Sequence, residues 1–209
     1  MNEEKIWSYL RAKGLTDVAV AGIMGNLYAE SGLQPNNLQN TYNSILGMTD
    51  QEYTTAVDNG SYKNFIYDQA GYGLAQWTFW SRKKELQNLA SVQKKSIGDL
   101  YLQLDFLVDE LKEFGLFDKL NAFSTVREAS NLILFEYEKP FDTGTAVQNA
   151  RSNWSQGYYD QYHNKPAASA PVQATGSCVL VAIKKLPSPD PTLQAHLEAE
   201  GFFTFTTGS

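Results

Sequence analysis

Residues Thr16 to Ser31, TDVAVAGIMGNLYAES, constrain the fold more than any other stretch of the chain. Val20, Ile23 and Leu27 recur at the i, i+3, i+7 spacing of an amphipathic helix. Gly32 suits the left-handed residue that ends such a helix, and Pro35 prevents its resumption. The next position on the apolar stripe is Glu30, which puts a carboxyl on the buried side of the last turn. No basic residue stands next to it in the sequence. Desolvation and the negative end of the helix dipole both favour the neutral acid, so its pKa is expected to be raised. A carboxyl that keeps its proton near neutrality can act as a general acid. An equally simple arrangement has Glu30 bonded to a neighbouring loop or paired with a distant arginine, and the helix pattern alone does not choose between them. Gly22 and Gly25, one turn apart, weaken an isolated helix, so a close approach by another helix or by substrate is expected there.

The other periodic segments are helical too. Asn2 to Lys13 carries Ile6, Trp7 and Leu10 on one side. Ile97 to Phe114 steps through Leu100, Leu104, Leu107 and Leu111 and reads as the central scaffold helix. Its acidic residues Asp99, Asp105, Asp109, Glu110 and Glu113 read as a solvated face. Thr125 and Glu128 form a capping-box pattern that opens a helix through Ala129, Leu132, Ile133 and Phe135, ended by Pro140. Glu136 or Glu138 is expected to pair with Arg151. Thr145 to His163 reads as a last helix with Val147, Ala150, Trp154 and Tyr158 inward. Residues 36–70 are polar and turn-rich, and Asn59-Gly60 is a hairpin-type turn. A partly helical or hairpin excursion walling one side of a cleft is expected there. The class is therefore mainly α, with room for a small β-hairpin.

A second dense stretch is AGYGLAQWTFW, residues 70–80. Gly71 and Gly73 permit unusual backbone conformations, and Gln76 offers both a donor and an acceptor. Read without further context, this is a tight turn into a helix over 81–91, with Trp77 and Trp80 in the core. The chain holds 12 Tyr, 11 Phe and 4 Trp; rings beyond the needs of a core often stack on sugars and are at least as often ordinary packing residues.

Net charge is −6 with a pI near 4.9, which argues against nucleic acid and anionic membranes as partners. The single cysteine, Cys178, excludes a disulfide framework, and two histidines leave little for a metal centre. No cofactor or metal is expected. No apolar run is long enough for a membrane span, and MNEEKIW lacks the basic-then-apolar character of a leader. The expectation is a protein that stays cytoplasmic until something else releases or carries it. Composition changes at Asn164. The net negative charge rests on residues 1–163, while 164–209 are neutral overall. A catalytic domain over 1–163, a Pro/Ala/Ser linker over 164–176 and a tail or truncated module of unknown role over 177–209 are expected.

Three pieces line up in order: NLYAESGLQP at 26–35, GYGLAQWT at 71–78, and FEYEKP at 135–140 followed by ARSNWSQGYYDQY. The combination resembles the phage-tail lysozyme family, within the lysozyme-like group that includes soluble lytic transglycosylases and goose-type lysozymes. The resemblance implies a lysozyme-like helical domain acting as a monomer on peptidoglycan glycan strands. It implies cleavage of the β-1,4 bond between N-acetylmuramic acid and N-acetylglucosamine. Glu30 matches the catalytic acid, Ser31 the adjacent serine, and Gly73, Leu74 and Gln76 the cleft motif. Gln76, Tyr72 and Trp77 would hold sugar rings, and Glu138-Lys139-Pro140 matches a feature taken as structural. Glycosidases usually place two carboxyls about 5–5.5 Å apart for retention and roughly 6.5–9.5 Å for inversion. No motif identifies the second one; Asp68 leads, then Asp58, then Asp50. Two alternatives stay open: a lytic transglycosylase using Glu30 alone, and a non-catalytic wall-binding tail module. A peptidoglycan amidase or cysteine peptidase is disfavoured, since ligand histidines are scarce and Cys178 lies beyond the linker with only His196 nearby.

Overall fold

The computed structural model describes residues 2–165. Cys178, His196, most of the expected linker and the whole expected tail lie outside the described residues. The described chain is helical, in the order α1 (Asn2–Ala12), α2 (Asp17–Ser31), α3 (Asn40–Leu46), α4 (Asp50–Asp58), α5 (Trp80–Gln93), α6 (Leu100–Glu113), α7 (Leu116–Ala122), α8 (Val126–Leu132) and α9 (Thr145–Tyr162). A π-helical turn, Ile133–Glu138, continues α8 directly. No helix among the described residues is long and apolar enough to cross a membrane.

The central element is α2 rather than α6. Every residue from Ala19 to Leu27 is buried, so α2 is enclosed on all sides rather than along one stripe. It packs against α1, α8, α9 and the π turn. Thr16 caps its first turn by accepting from Ala19 N, and Gly32 closes it in the left-handed conformation at φ +60°. The two helix glycines mark the closest approaches. A Cβ on Gly22 would lie 2.6 Å from Ala129 Cβ on α8, and one on Gly25 would lie 2.0 Å from Ser155 Oγ on α9. These glycines therefore set how near α8 and α9 come to the helix that carries Glu30.

Of the two forms expected for residues 36–70, the partly helical one is adopted and the hairpin is not. Thr49 and Glu52 form a full capping box that starts α4, and Asn59 ends it. Asn59-Gly60 is thus a helix terminus and not a strand turn. Pairing among the described residues outside helices is confined to isolated bridges, Leu38 with Tyr72 and Tyr72 with Trp77. On α6 the apolar stripe is buried as expected, but two of its residues are not where the pattern put them. Phe114 is exposed, and Glu110 is buried instead of solvated.

Candidate active site

The end of α2 meets the 70–79 turn and the π turn around an open groove of about 450 Å³. Glu30, Gln76, Arg82, Glu138 and Pro140 are among its walls. Glu30 is in the last turn of α2, with its side chain 20% exposed. Its Oε1 accepts a hydrogen bond from Arg151 Nη2 at 2.5 Å. Arg151 also donates through Nη1 to Asn26 Oδ1 at 3.1 Å. Asn26 and Glu30 are four residues apart on one face of α2, so a single guanidinium on α9 grips both. Asn26 is itself held by Nδ2 bonds to Gly22 O and Ser130 O. Both features weighed for Glu30 in the sequence are therefore present: a distant arginine, and a groove beside it. The arginine is the one expected to take Glu136 or Glu138. Glu136 instead pairs with Lys119.

Ser31 does not line the groove. Its hydroxyl donates to Leu27 O and Leu74 O, at 3.1 and 2.9 Å, and straps the end of α2 to the 70–79 turn. Gly73 has φ +79°, and a Cβ there would lie 2.7 Å from the Gln103 amide. That amide in turn accepts from Leu74 N and donates to Pro35 O and Ile97 O. Gly73 and Leu74 thus shape the turn instead of touching the groove. Gln76 does line it, at φ +46°. Its Nε2 is committed to Asn37 and to Gly73 O, which leaves Oε1 as the atom for a ligand donor.

The two aromatic residues expected to hold sugars are corrected by their burial. Tyr72 and Trp77 are both 0% exposed. Tyr72 bonds Thr54 through its hydroxyl, and Trp77 Nε1 donates to Glu110 Oε2 at 2.9 Å. Beside the groove, the rings of Phe79, Trp80 and Tyr67 do reach solvent, 61%, 49% and 66% exposed, so Trp80 is outside the core expected for it. With Tyr42 and Ile66 they line a second depression of about 640 Å³. It shares Gln39, Thr78 and Phe79 with the groove around Glu30, so the two run into one another.

The expected second carboxyls are also elsewhere. Asp68 is buried beneath Lys83, whose Nζ donates to Oδ1 at 2.5 Å. Tyr53 and Tyr62 donate to its Oδ2. Asp58 accepts from Ile97 N and lines a different depression with Asn88 and Lys95. Asp50 accepts from Leu38 N and Asn43 Nδ2. None of the three is among the groove's walls.

The second carboxyl in the groove is that of Glu138, which the sequence assigned to structure. It ends the π turn, where Lys139 N reaches back five residues to Leu134 O and Lys139 itself is left-handed at φ +50°. Glu138 Oε1 is shut off from solvent and has no hydrogen-bond partner among the described residues. Burial holds this carboxyl well above the usual carboxylate range, and the charge of Glu30 pushes it further up; Arg82 and Arg151 pull the other way. Behind it, Glu110 is fully engaged. Arg82 donates to it through Nε and Nη2, at 2.5 and 2.8 Å, and Tyr137 and Trp77 also donate to Oε2. A short irregular turn at a helix end, with a carboxyl lacking partners, is the kind of feature that accompanies function.

An open groove holding two carboxyls, one gripped by a guanidinium and one unpartnered, can protonate a leaving oxygen and accept the proton back. The family model for phage tail lysozyme matches residues 1–162. The chain belongs to the phage tail lysozyme family, and its action on peptidoglycan follows from that membership.

Proposed function

We propose that the groove cleaves the β-1,4 bond between N-acetylmuramic acid and N-acetylglucosamine, with Glu30 as general acid. The observation that carries this reading is the position of Glu30, part-exposed at the floor of an open groove, clamped by Arg151 and facing the wall that holds Gln76. Arg151 takes Oε1, so Oε2 is the oxygen left to meet the glycosidic oxygen. A fixed donor of this kind contributes about 10²–10⁴ in rate. Gln76 Oε1 suits an N–H or O–H of the bound sugar. The exposed rings of Phe79, Trp80 and Tyr67 suit stacking of further sugars along the strand, in place of Tyr72 and Trp77.

A lytic transglycosylase reading has its own support. Asp50, Asp58 and Asp68 are all committed to protein partners away from the groove, so no aspartate stands there to orient water. In that reaction the substrate's own hydroxyl attacks, and one acid suffices. Turbidity loss of purified cell walls tests the shared core of both readings. Wild type should clear them, and Glu30→Gln should be slower by about two to four orders of magnitude. A Glu30→Gln protein that clears walls at the wild-type rate would overturn the assignment.

A further inference from the structure

Three carboxyls and two guanidiniums gather behind the groove wall: Glu30, Glu110 and Glu138 against Arg82 and Arg151. The pairing is complete for four of them. Arg82 is bidentate on Glu110, and Arg151 is bonded to Glu30. Glu138 has no ion-pair partner among the described residues, and its Oε1 has neither partner nor solvent. Lys139 follows it in sequence but is exposed and makes no ion pair with it. An uncompensated buried carboxylate is costly, and such a group neutralises instead. The site is therefore one positive charge short, and a proton is the species that makes up the difference.

We propose that Glu138 is a positioning residue for Glu30: both carboxyls start a turnover protonated, and the proton held by Glu138 resupplies Glu30 once Glu30 has given its own to the leaving oxygen. This rests on the reading of Glu30 as the general acid. The balance closes over a cycle. The glycosidic C–O bond breaks with its electron pair on the leaving oxygen, which takes the proton of Glu30. The proton of Glu138 then passes to Glu30. The water or sugar hydroxyl that attacks the anomeric carbon releases a proton, which reloads Glu138. The groups facing Glu138 in this scheme are Glu30 from α2, Arg82 from α5, Glu110 from α6 and Arg151 from α9, with Tyr137 on its own turn.

The test compares the whole chain with Glu138→Gln, which keeps the shape of the protonated acid but cannot give up a proton. Sugar release from purified walls and melting temperature are each followed against pH. The expected result is a kcat lower by at least about tenfold near neutral pH with KM little changed. The loss should grow as pH rises, because solvent then supplies fewer protons to Glu30 in place of Glu138. Melting of the wild type should decline as pH rises above the ordinary carboxyl range, since the folded state must surrender a proton the unfolded chain has already lost. The variant should lack that decline and melt at or above the wild type at neutral pH. An unchanged rate profile overturns the proposal. So does a loss of the same factor at every pH, or a variant that unfolds at neutral pH. Wild type that releases no sugar would instead refute the glycosidase reading, while the melting comparison would still decide where the proton resides.

Discussion

Asp68 and Glu138 each hold a carboxyl oxygen away from solvent, and the two are treated in opposite ways. Asp68 is saturated. Lys83, Tyr53, Tyr62 and the amide of Ala70 all donate to it. Glu138 receives nothing on its inner oxygen. A fully satisfied buried pair joins elements into one structure, here α4 and α5 to the start of the 70–79 turn. A half-satisfied one is an electrostatic cost the fold bears elsewhere. The contrast separates a wall that holds the groove's shape from the wall to which the proposal assigns its reactivity. It also explains why position just before the glycine-rich turn was a misleading guide to Asp68: proximity in sequence to a cleft motif marks the support as readily as the chemistry.

The contrast can be broken at either end, and the effects should fall in a definite order. The largest belongs to Glu30→Gln, with a rate loss of about 10²–10⁴ and melting close to wild type, because the amide still accepts from Arg151. Next is Asp68→Ala, which leaves Lys83 buried with no counterion. It should cost about 3–5 kcal/mol in chemical denaturation, and its activity should fall only as the folded fraction falls. Gly25→Ala comes third. Its methyl group meets the backbone of α9, and overpacking of this sort costs about 1–3 kcal/mol. Shifting α9 also displaces Arg151, so this variant should lose activity beyond its loss of stability, whereas Asp68→Ala should not. The smallest effect is Trp80→Ala. Losing one exposed stacking face should cost roughly 1 kcal/mol of substrate binding, read as a KM about fivefold higher on long glycan strands with kcat and melting unchanged.

Much of the frame was legible. The left-handed Gly32 and the capping box at Thr125 are local signals, and local physics decides them; Gly22 and Gly25 marked the close helix approaches expected of them. The 70–79 turn was legible in part: Trp77 is in the core as the tight-turn reading has it, whereas Trp80, placed there too, is exposed, and Tyr72, expected at a sugar, is buried. What escaped the sequence is non-local. α9 buries Arg151, Ser152 and Ser155 beside Tyr158 and Tyr162, and leaves Trp154, expected inward, 41% exposed, so the polar part of its inward side is one an apolar stripe could not reveal. The Arg151–Glu30 bond joins residues 121 apart, and nothing near either one announces the other. The role of Glu138 was hidden by the π turn, which interrupts the 3.6-residue period. Leu132, Ile133, Leu134 and Tyr137 are all buried across it. α3 and α4 were foreseen only as part of a helical or hairpin excursion, without limits, because each is short, although the Thr49–Glu52 box was there to be read.

The account rests on glycan cleavage that needs the carboxyl at the end of α2. Mass spectrometry of the soluble fragments released from purified peptidoglycan, by wild type and by Glu30→Gln folded to the same extent, tests this most directly. The account predicts disaccharide-based fragments from wild type, with reducing or anhydro-muramic ends according to the reaction, and almost none from the variant. Equal fragments from both proteins, or fragments cut only in the peptide stems, would contradict it.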